Sequence, residues 1–223
     1  MNDKEIRKIL ISWLQACNSE IRIYQEKSIG TSICDLMAVT DCLTGYEIKS
    51  DLDNYQRLDR QIKNYDKIFD KNYIVVGQQH STTIEKRLPF YWGIIVVMND
   101  HVHVARKAQH GKPSLKNKLK LLWKIELKNI LCRLNLPPCT YKSKDYIIQY
   151  LLSENQENQI NNALLYELMH RDYSIFNARD YTFYSNTIET RTSDICDSVP
   201  AEEFIDSLSE QDLQQITLDQ WIN

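Results

Sequence analysis

Glycine and proline are scarce, with five of each among 223 residues. That disfavours a turn-rich all-β barrel. Long apolar runs are missing as well. Stretches such as residues 94–98 fall far short of the roughly 18 residues a membrane span needs. No CxxC pair occurs among the six cysteines, Cys17, Cys34, Cys42, Cys132, Cys139 and Cys196, and no Cys/His cluster has zinc-ligand spacing. Reduced, mostly buried thiols in a cytoplasmic protein are therefore expected. The first residues, Met1 to Glu5, mix charges and precede no apolar segment, so neither a secretory leader nor a membrane partner is expected. With 43% hydrophobic and 26% charged residues, the composition is that of a globular chain. Pervasive disorder, a collagen-like repeat and a disulfide-dense miniprotein are excluded.

Net charge is only −3, but the average hides a split. Residues 101–144 hold eleven Lys/Arg and one acid, Glu126, whereas residues 186–223 hold nine acids and one base, Arg191. The middle segment offers cations to phosphates or is an ordinary solvated face. The acidic end is either a solvated tail or a cover for the basic surface, acting as an internal DNA mimic. Overall acidity does not exclude nucleic-acid binding, because local potential governs it.

Apolar periodicity predicts a helix over residues 3–15, with Ile6, Ile9, Leu10, Trp13 and Leu14 on one face and Asn2 or Asp3 as N-cap. Alternation predicts strands over 20–25, 33–39 and 46–49, the last two joined by turn chemistry at 41–45. Helical spacing returns over 55–69, followed by strands at 73–76, 91–98 and 102–104. The order implies a mixed sheet flanked by helices, with a βαβ unit around the second helix. Beyond residue 105 the pattern is helical: a basic helix over 116–131, a break at Pro137 and Pro138, then helices over 143–152 and 155–168. The expected division is 1–105, 106–170 and an acidic region, 171–223.

Three ionisable residues carry the chemical signal. Asp35 interrupts an apolar run, and Glu47, Ile48 and Lys49 follow just after a turn. Strand side chains alternate, so Glu47 and Lys49 share a face, and a hairpin can bring Asp35 beside them. Two carboxylates suit a hard cation such as Mg²⁺ or Mn²⁺, with the Ile48 carbonyl as a further oxygen ligand. A lysine beside them can orient or deprotonate water and stabilise charge on a phosphate. Taken singly, each has a plainer role: Asp35 as a turn cap, Glu47 and Lys49 as the polar face of a strand. Gln61 and Tyr65, four apart on one helix face, either support such a site or pair on the helix surface. Arg57 and Arg60 either meet phosphates or pair with Asp53 or Asp59. Among the histidines His80, His101, His103 and His110, the alternation of Val102, His103 and Val104 favours an edge strand over a metal set.

Asp35 with Glu47, Ile48 and Lys49 resembles the PD-(D/E)XK nuclease signature, with Cys34 where the name-giving proline would stand. The surroundings sharpen it. Gly45 through Asp51 is followed by Arg57 through Tyr65, by Phe69 and Asp70, by Tyr73 through Gly77, and by Tyr91 through Ile95. This pattern, over roughly residues 20–128, is similar to the sce7726 family, related to MmcB-type DNA-repair proteins. Gln61 and Tyr65 also resemble the QxxxY motif of RecB-like nucleases. The resemblance implies an α/β fold with a restriction-endonuclease-like αβββαβ core, followed here by a helical C-terminal region. It implies a Mg²⁺-dependent nuclease acting on DNA in repair or phage–host conflict. Asp35, Glu47 and Ile48 would hold metal, and Lys49 and Gln61 would complete the catalytic set, with Tyr65 in support. Many members carry a further acid near the start, for which Glu5, Glu20 and Glu26 compete.

Residues 126–152 are similar to a SAP-like helix–loop–helix, in which Lys142 and Lys144 would contact phosphates, joined by Lys116 and Lys120 from the basic helix. The plainer reading is a helical hairpin packed on the core. The alternative to a nuclease is a non-catalytic module that keeps the fold and grips nucleic acid or a protein partner. A homodimer is left open.

Overall fold

The computed structural model describes residues 1–50, 53, 55–78, 84–99, 101–139 and 141–173. His80, Asp51, Cys196 and the acidic region from residue 174 onward lie outside the described residues. The chain divides into two compact units, Met1–Ser114 and Leu115–Asn223. Among the described residues, no helix is long and apolar enough to cross a membrane.

The first unit opens on α1 (Asp3–Cys17). Asn2 caps it reciprocally: the Asn2 side chain accepts the Glu5 N–H at 2.9 Å, and the Glu5 carboxylate accepts the Asn2 N–H at 3.0 Å. Six strands follow: β1 (Arg22–Ile29), β2 (Ser32–Val39), β3 (Leu43–Lys49), β4 (Lys71–Gly77), β5 (Gly93–Met98) and β6 (His101–Arg106). Their spatial order is their chain order. The hairpin-linked strands β1, β2 and β3 pair antiparallel, as do β5 and β6. Strands β3, β4 and β5 pair parallel, because their connections cross over through α2 (Leu58–Tyr65) and through the short 3-10 turn Ile84–Arg87. The molecule is thus α/β, a mixed six-stranded sheet with helices beside it and a helical C-terminal part.

Ile6, Leu10 and Leu14 of α1 pack on Leu36, Ala38, Tyr46, Ile48, Val75, Ile95 and Val97, which share one face of the sheet. The opposite face of β3 lies under α2. There Gly45 is required by space: a Cβ would fall 2.4 Å from the Phe69 ring and 2.8 Å from the Tyr65 ring. Gly45→Ala is expected to cost about 1–3 kcal/mol, the usual penalty for overpacking, read as a lowered midpoint in chemical denaturation. An unchanged midpoint would show that β3 and α2 are not tightly packed.

The elements are longer or shorter than periodicity alone suggests. Strand β1 runs to Ile29 instead of ending at Gln25. Helix α2 covers eight residues, not the span 55–69; beyond it the Ile68 N–H bonds the Tyr65 carbonyl three residues back, a tighter turn than the α-helix makes. Asp66 then fixes the following loop, accepting from the Tyr91 hydroxyl (2.8 Å), the Trp92 indole (2.9 Å) and the Asn72 amide (3.0 Å). Trp92 can therefore be fully buried with its N–H satisfied.

The second unit holds α3 (Leu115–Leu119), α4 (Lys124–Arg133), α5 (Lys144–Ser153) and α6 (Glu157–Met169). The single basic helix expected over 116–131 is two helices, broken before Trp123, whose backbone is extended. A buried ion pair holds the break. The Glu126 carboxylate accepts the Trp123 N–H at 2.6 Å and takes both Nε (2.6 Å) and Nη2 (2.7 Å) of Arg171. The same guanidinium donates to the Leu121 carbonyl at 2.9 Å and lies 4.2 Å over the Trp123 ring.

Candidate active site

The site forms where the antiparallel ladder opens. Strands β2 and β3 pair from Val39–Leu43 to Leu36–Tyr46, and the next pair in that register would be Asp35 with Glu47. There the Asp35 side chain replaces the ladder, its Oδ2 accepting the Ile48 N–H at 2.7 Å. On the other edge, β1 pairs Gln25 with Leu36 and Lys27 with Cys34, and skips the pair between Glu26 and Asp35. Glu26 has φ 52°, in the left-handed region, which costs a residue with a Cβ about 1–2 kcal/mol. Asp35 is therefore released from regular pairing on both sides.

Glu47 is buried and fully engaged. Its Oε1 accepts from the Lys49 ammonium at 2.6 Å and from the Gln61 amide, and its Oε2 accepts the Tyr65 hydroxyl at 2.7 Å. The Tyr65 oxygen in turn accepts the Asp35 N–H at 3.3 Å. One tyrosine thus links the two acid-bearing strands. Burial pushes the Glu47 carboxyl up, against the pull of Lys49. Burial, followed by the charge of Glu47, pushes Asp35 up to about 7, while the Ile48 N–H and Arg7 oppose the shift. Burial also raises the Tyr65 hydroxyl and the Cys34 thiol well above their ordinary values, so both stay neutral.

Asp35, Glu47, Ile48, Lys49 and Gln61 line one cleft of about 720 Å³, together with Arg57 and Arg60. Both arginines are exposed and have no partner among the described residues. Among the described residues Asp53 does not pair with them; its Oδ2 accepts both the N–H (2.8 Å) and the hydroxyl (2.7 Å) of Ser50.

Of the three rival acids, only Glu26 lines the cleft. Glu5 is used in the α1 cap, and Glu20 lies exposed just past the end of that helix. Sequence reasoning missed Asp3 and Arg7. Asp3 lines the cleft, and Arg7 reaches Asp3 (3.1 Å), Glu26 (3.4 Å) and Asp35 (3.7 Å). The i, i+4 spacing of Asp3 and Arg7 is a readable ion-pair signal, but nothing local shows that α1 aims it at β2.

The remaining basic candidates belong to the second unit. Lys116 is exposed on α3 and Lys120 is exposed just after it. Lys142 is exposed, with its Nζ 4.9 Å from the Tyr146 ring centre. Lys144 is half-buried in the first turn of α5, which Ser143 caps. Lys118, between Lys116 and Lys120, is instead buried and donates to Asn161 at 2.9 Å.

Among the described residues, no set of three or more His, Cys, Asp or Glu side chains forms a metal cage. The histidines of β6, His101 and His103, are exposed along a sheet edge. The cleft offers a different donor set, all oxygen. Asp35 and Glu47 supply carboxylates, Ile48 lies between Glu47 and Lys49, and the Gln61 Oε1 is buried without a hydrogen-bond partner among the described residues. An orphaned acceptor beside two repelling carboxylates fits a hard divalent cation.

This chain is similar to a phage protein and to a solved bacterial protein. Protein cII of Enterobacteria phage P4 is 27% identical over 186 residues, covering 79% of this chain and 70% of that protein. A solved protein of unknown function from Silicibacter pomeroyi is 16% identical with a TM-score of 0.45, over 54% of this chain and 81% of that one. The family model described as bacteriophage P4 protein cII matches residues 1–197, and the chain belongs to that family.

Proposed function

We propose that this chain is a metal-dependent nuclease of the PD-(D/E)XK type, similar to sce7726 and MmcB-like proteins, which hydrolyses DNA phosphodiester bonds with Mg²⁺ or Mn²⁺. A role in DNA repair or phage–host conflict goes with that resemblance. The observation that carries the proposal is the convergence of Asp35, Glu47, Lys49 and Gln61 in one open cleft edged by the exposed arginines Arg57 and Arg60. The helix–three strands–helix–strand order supports a restriction-endonuclease-like core.

The chemistry divides among the residues. Asp35, Glu47 and the Ile48 carbonyl would hold the cation, with the Gln61 Oε1 as a further oxygen. The bound cation would neutralise charge on the scissile phosphate and activate water. Lys49 places its ammonium at the cleft, where it can orient a water and meet the charge that builds on the phosphate oxygens. Tyr65 fixes the Glu47 carboxylate through Oε2 and leaves Oε1 on the side of Lys49 and Gln61. Arg57 and Arg60 would hold flanking phosphates, positioning the strand without reading its sequence. The exposed lysines Lys116, Lys120 and Lys142 would add grip from the second unit, as would Lys144.

Incubating the full chain with supercoiled plasmid, linear duplex and single-stranded DNA tests the reading, with Mg²⁺, Mn²⁺ or EDTA. Metal-dependent cleavage of at least one substrate is expected. Binding with no cleavage of any would leave the non-catalytic module as the better account. The arginines give a separate check. Replacing Arg57 and Arg60 together by alanine should flatten the plot of log affinity against log salt by about two units on duplex DNA, about 0.9 for each phosphate no longer neutralised. An unchanged slope would move the DNA away from this edge of the cleft.

A further inference from the structure

We infer that Arg7 is the resident cation of this site: its guanidinium stands among Asp3, Glu26 and Asp35 in the place of a second metal ion, so the cleft takes up one divalent ion. The inference rests on the metal-site reading above and goes beyond it in fixing the stoichiometry.

The geometry is specific. Arg7 sits on α1, its side chain only 14% exposed, and reaches three separate elements. Its Nε and Nη2 meet Asp3 Oδ1 at 3.2 and 3.1 Å. Its Nη1 meets Glu26 Oε1 at 3.4 Å and donates to the Asp35 carbonyl at 3.2 Å. Its Nη2 lies 3.7 Å from Asp35 Oδ1. Three carboxylates from α1, β1 and β2 thus face one guanidinium. With Arg7 removed, Asp3, Glu26 and Asp35 would be three carboxylates without that shared cation at one end of a polar cleft. A planar guanidinium already occupies that position, and its charge opposes a metal ion there.

The two acid groups have separate cations: Arg7 contacts Asp3, Glu26 and Asp35, and Lys49 contacts Glu47. The left-handed turn at Glu26 has a role on this account. It accompanies the skipped Glu26–Asp35 pair, where the Glu26 carboxylate meets Arg7.

Calorimetric titration of the full-length protein with Mn²⁺ tests the inference without reference to activity. Wild type should bind one ion. Arg7→Met and Arg7→Gln, which remove the charge but keep most of the side-chain length, should each bind two. Arg7→Lys should bind one, and Arg7→Gln combined with Glu26→Gln should return to one. Circular dichroism confirms that each variant is folded, and either neutral variant suffices. Two ions in wild type would overturn the inference on its own, whatever the variants do. One ion in both wild type and a folded neutral variant would also overturn it, while leaving the metal site intact. No ion in wild type would remove the metal-site reading itself, and this inference with it.

Discussion

Replacing Lys49 by alanine should lower metal-dependent DNA cleavage by about 10²–10³-fold, the usual cost of deleting one preorganised group that stabilises developing charge. The fold should survive. Lys49 leaves behind a Glu47 that is 1% exposed, and a buried carboxylate without its cation is costly. The carboxyl has an exit, however. It can take up a proton and keep its hydrogen bond with Tyr65. The variant should therefore melt close to wild type at acid pH and clearly lower at alkaline pH, with an unchanged far-ultraviolet spectrum. Cleavage by a folded Lys49→Ala protein at the wild-type rate would take Lys49 out of the chemistry.

The second large effect concerns the acid pair itself. Asp35 is raised from 3.8 to about 7 by burial and by Glu47. Between those values the folded protein holds a proton that the unfolded chain has released. Folding then takes up a proton, so stability without metal falls as pH rises from about 4 to about 7. For a shift of this size the loss is about 4 kcal/mol, shared between the two coupled carboxyls. Denaturant titrations in EDTA at the two ends of that window should show it for wild type. Asp35→Asn, which keeps the shape and lacks the charge, should show a much smaller decline and should be the more stable protein at alkaline pH. Adding Mg²⁺ at alkaline pH should restore wild type by mass action and do far less for the variant. A wild-type decline no steeper than that of Asp35→Asn would mean that the two carboxylates do not repel each other across the opened ladder.

The sequence carries the centre of this site because the relevant rules are local. Glu47 and Lys49 share a face by strand alternation, and the hairpin turn sets Asp35 in register beside Glu47. Gln61 and Tyr65 fall four apart on α2, and both reach Glu47. The periphery was not legible. Arg7 acts through the packing of α1 on the sheet, and its contact with Asp35 spans 28 positions of sequence. Glu26 could not be told from Glu5 or Glu20 by position. What separates them is a skipped pair and a left-handed backbone in β1, where Glu26 faces Asp35, while Glu5 is consumed by a cap. The break before Trp123 escaped for a similar reason. The apolar spacing runs straight across it, and the partner that holds it, Arg171, lies 45 positions beyond Glu126. Contacts of that range follow from tertiary packing, which periodicity does not encode.

The central claim is that Asp35, Glu47 and Lys49 form a hydrolytic metal site, and plasmid nicking tests it most directly. Wild type, Glu47→Gln and Lys49→Ala, each shown to be folded, are incubated with supercoiled DNA in Mg²⁺ and in EDTA. The account predicts nicked product for wild type in Mg²⁺, none in EDTA, and a drop of about 100-fold or more for both variants. Nicking that persists in EDTA, or that both variants retain, would contradict it.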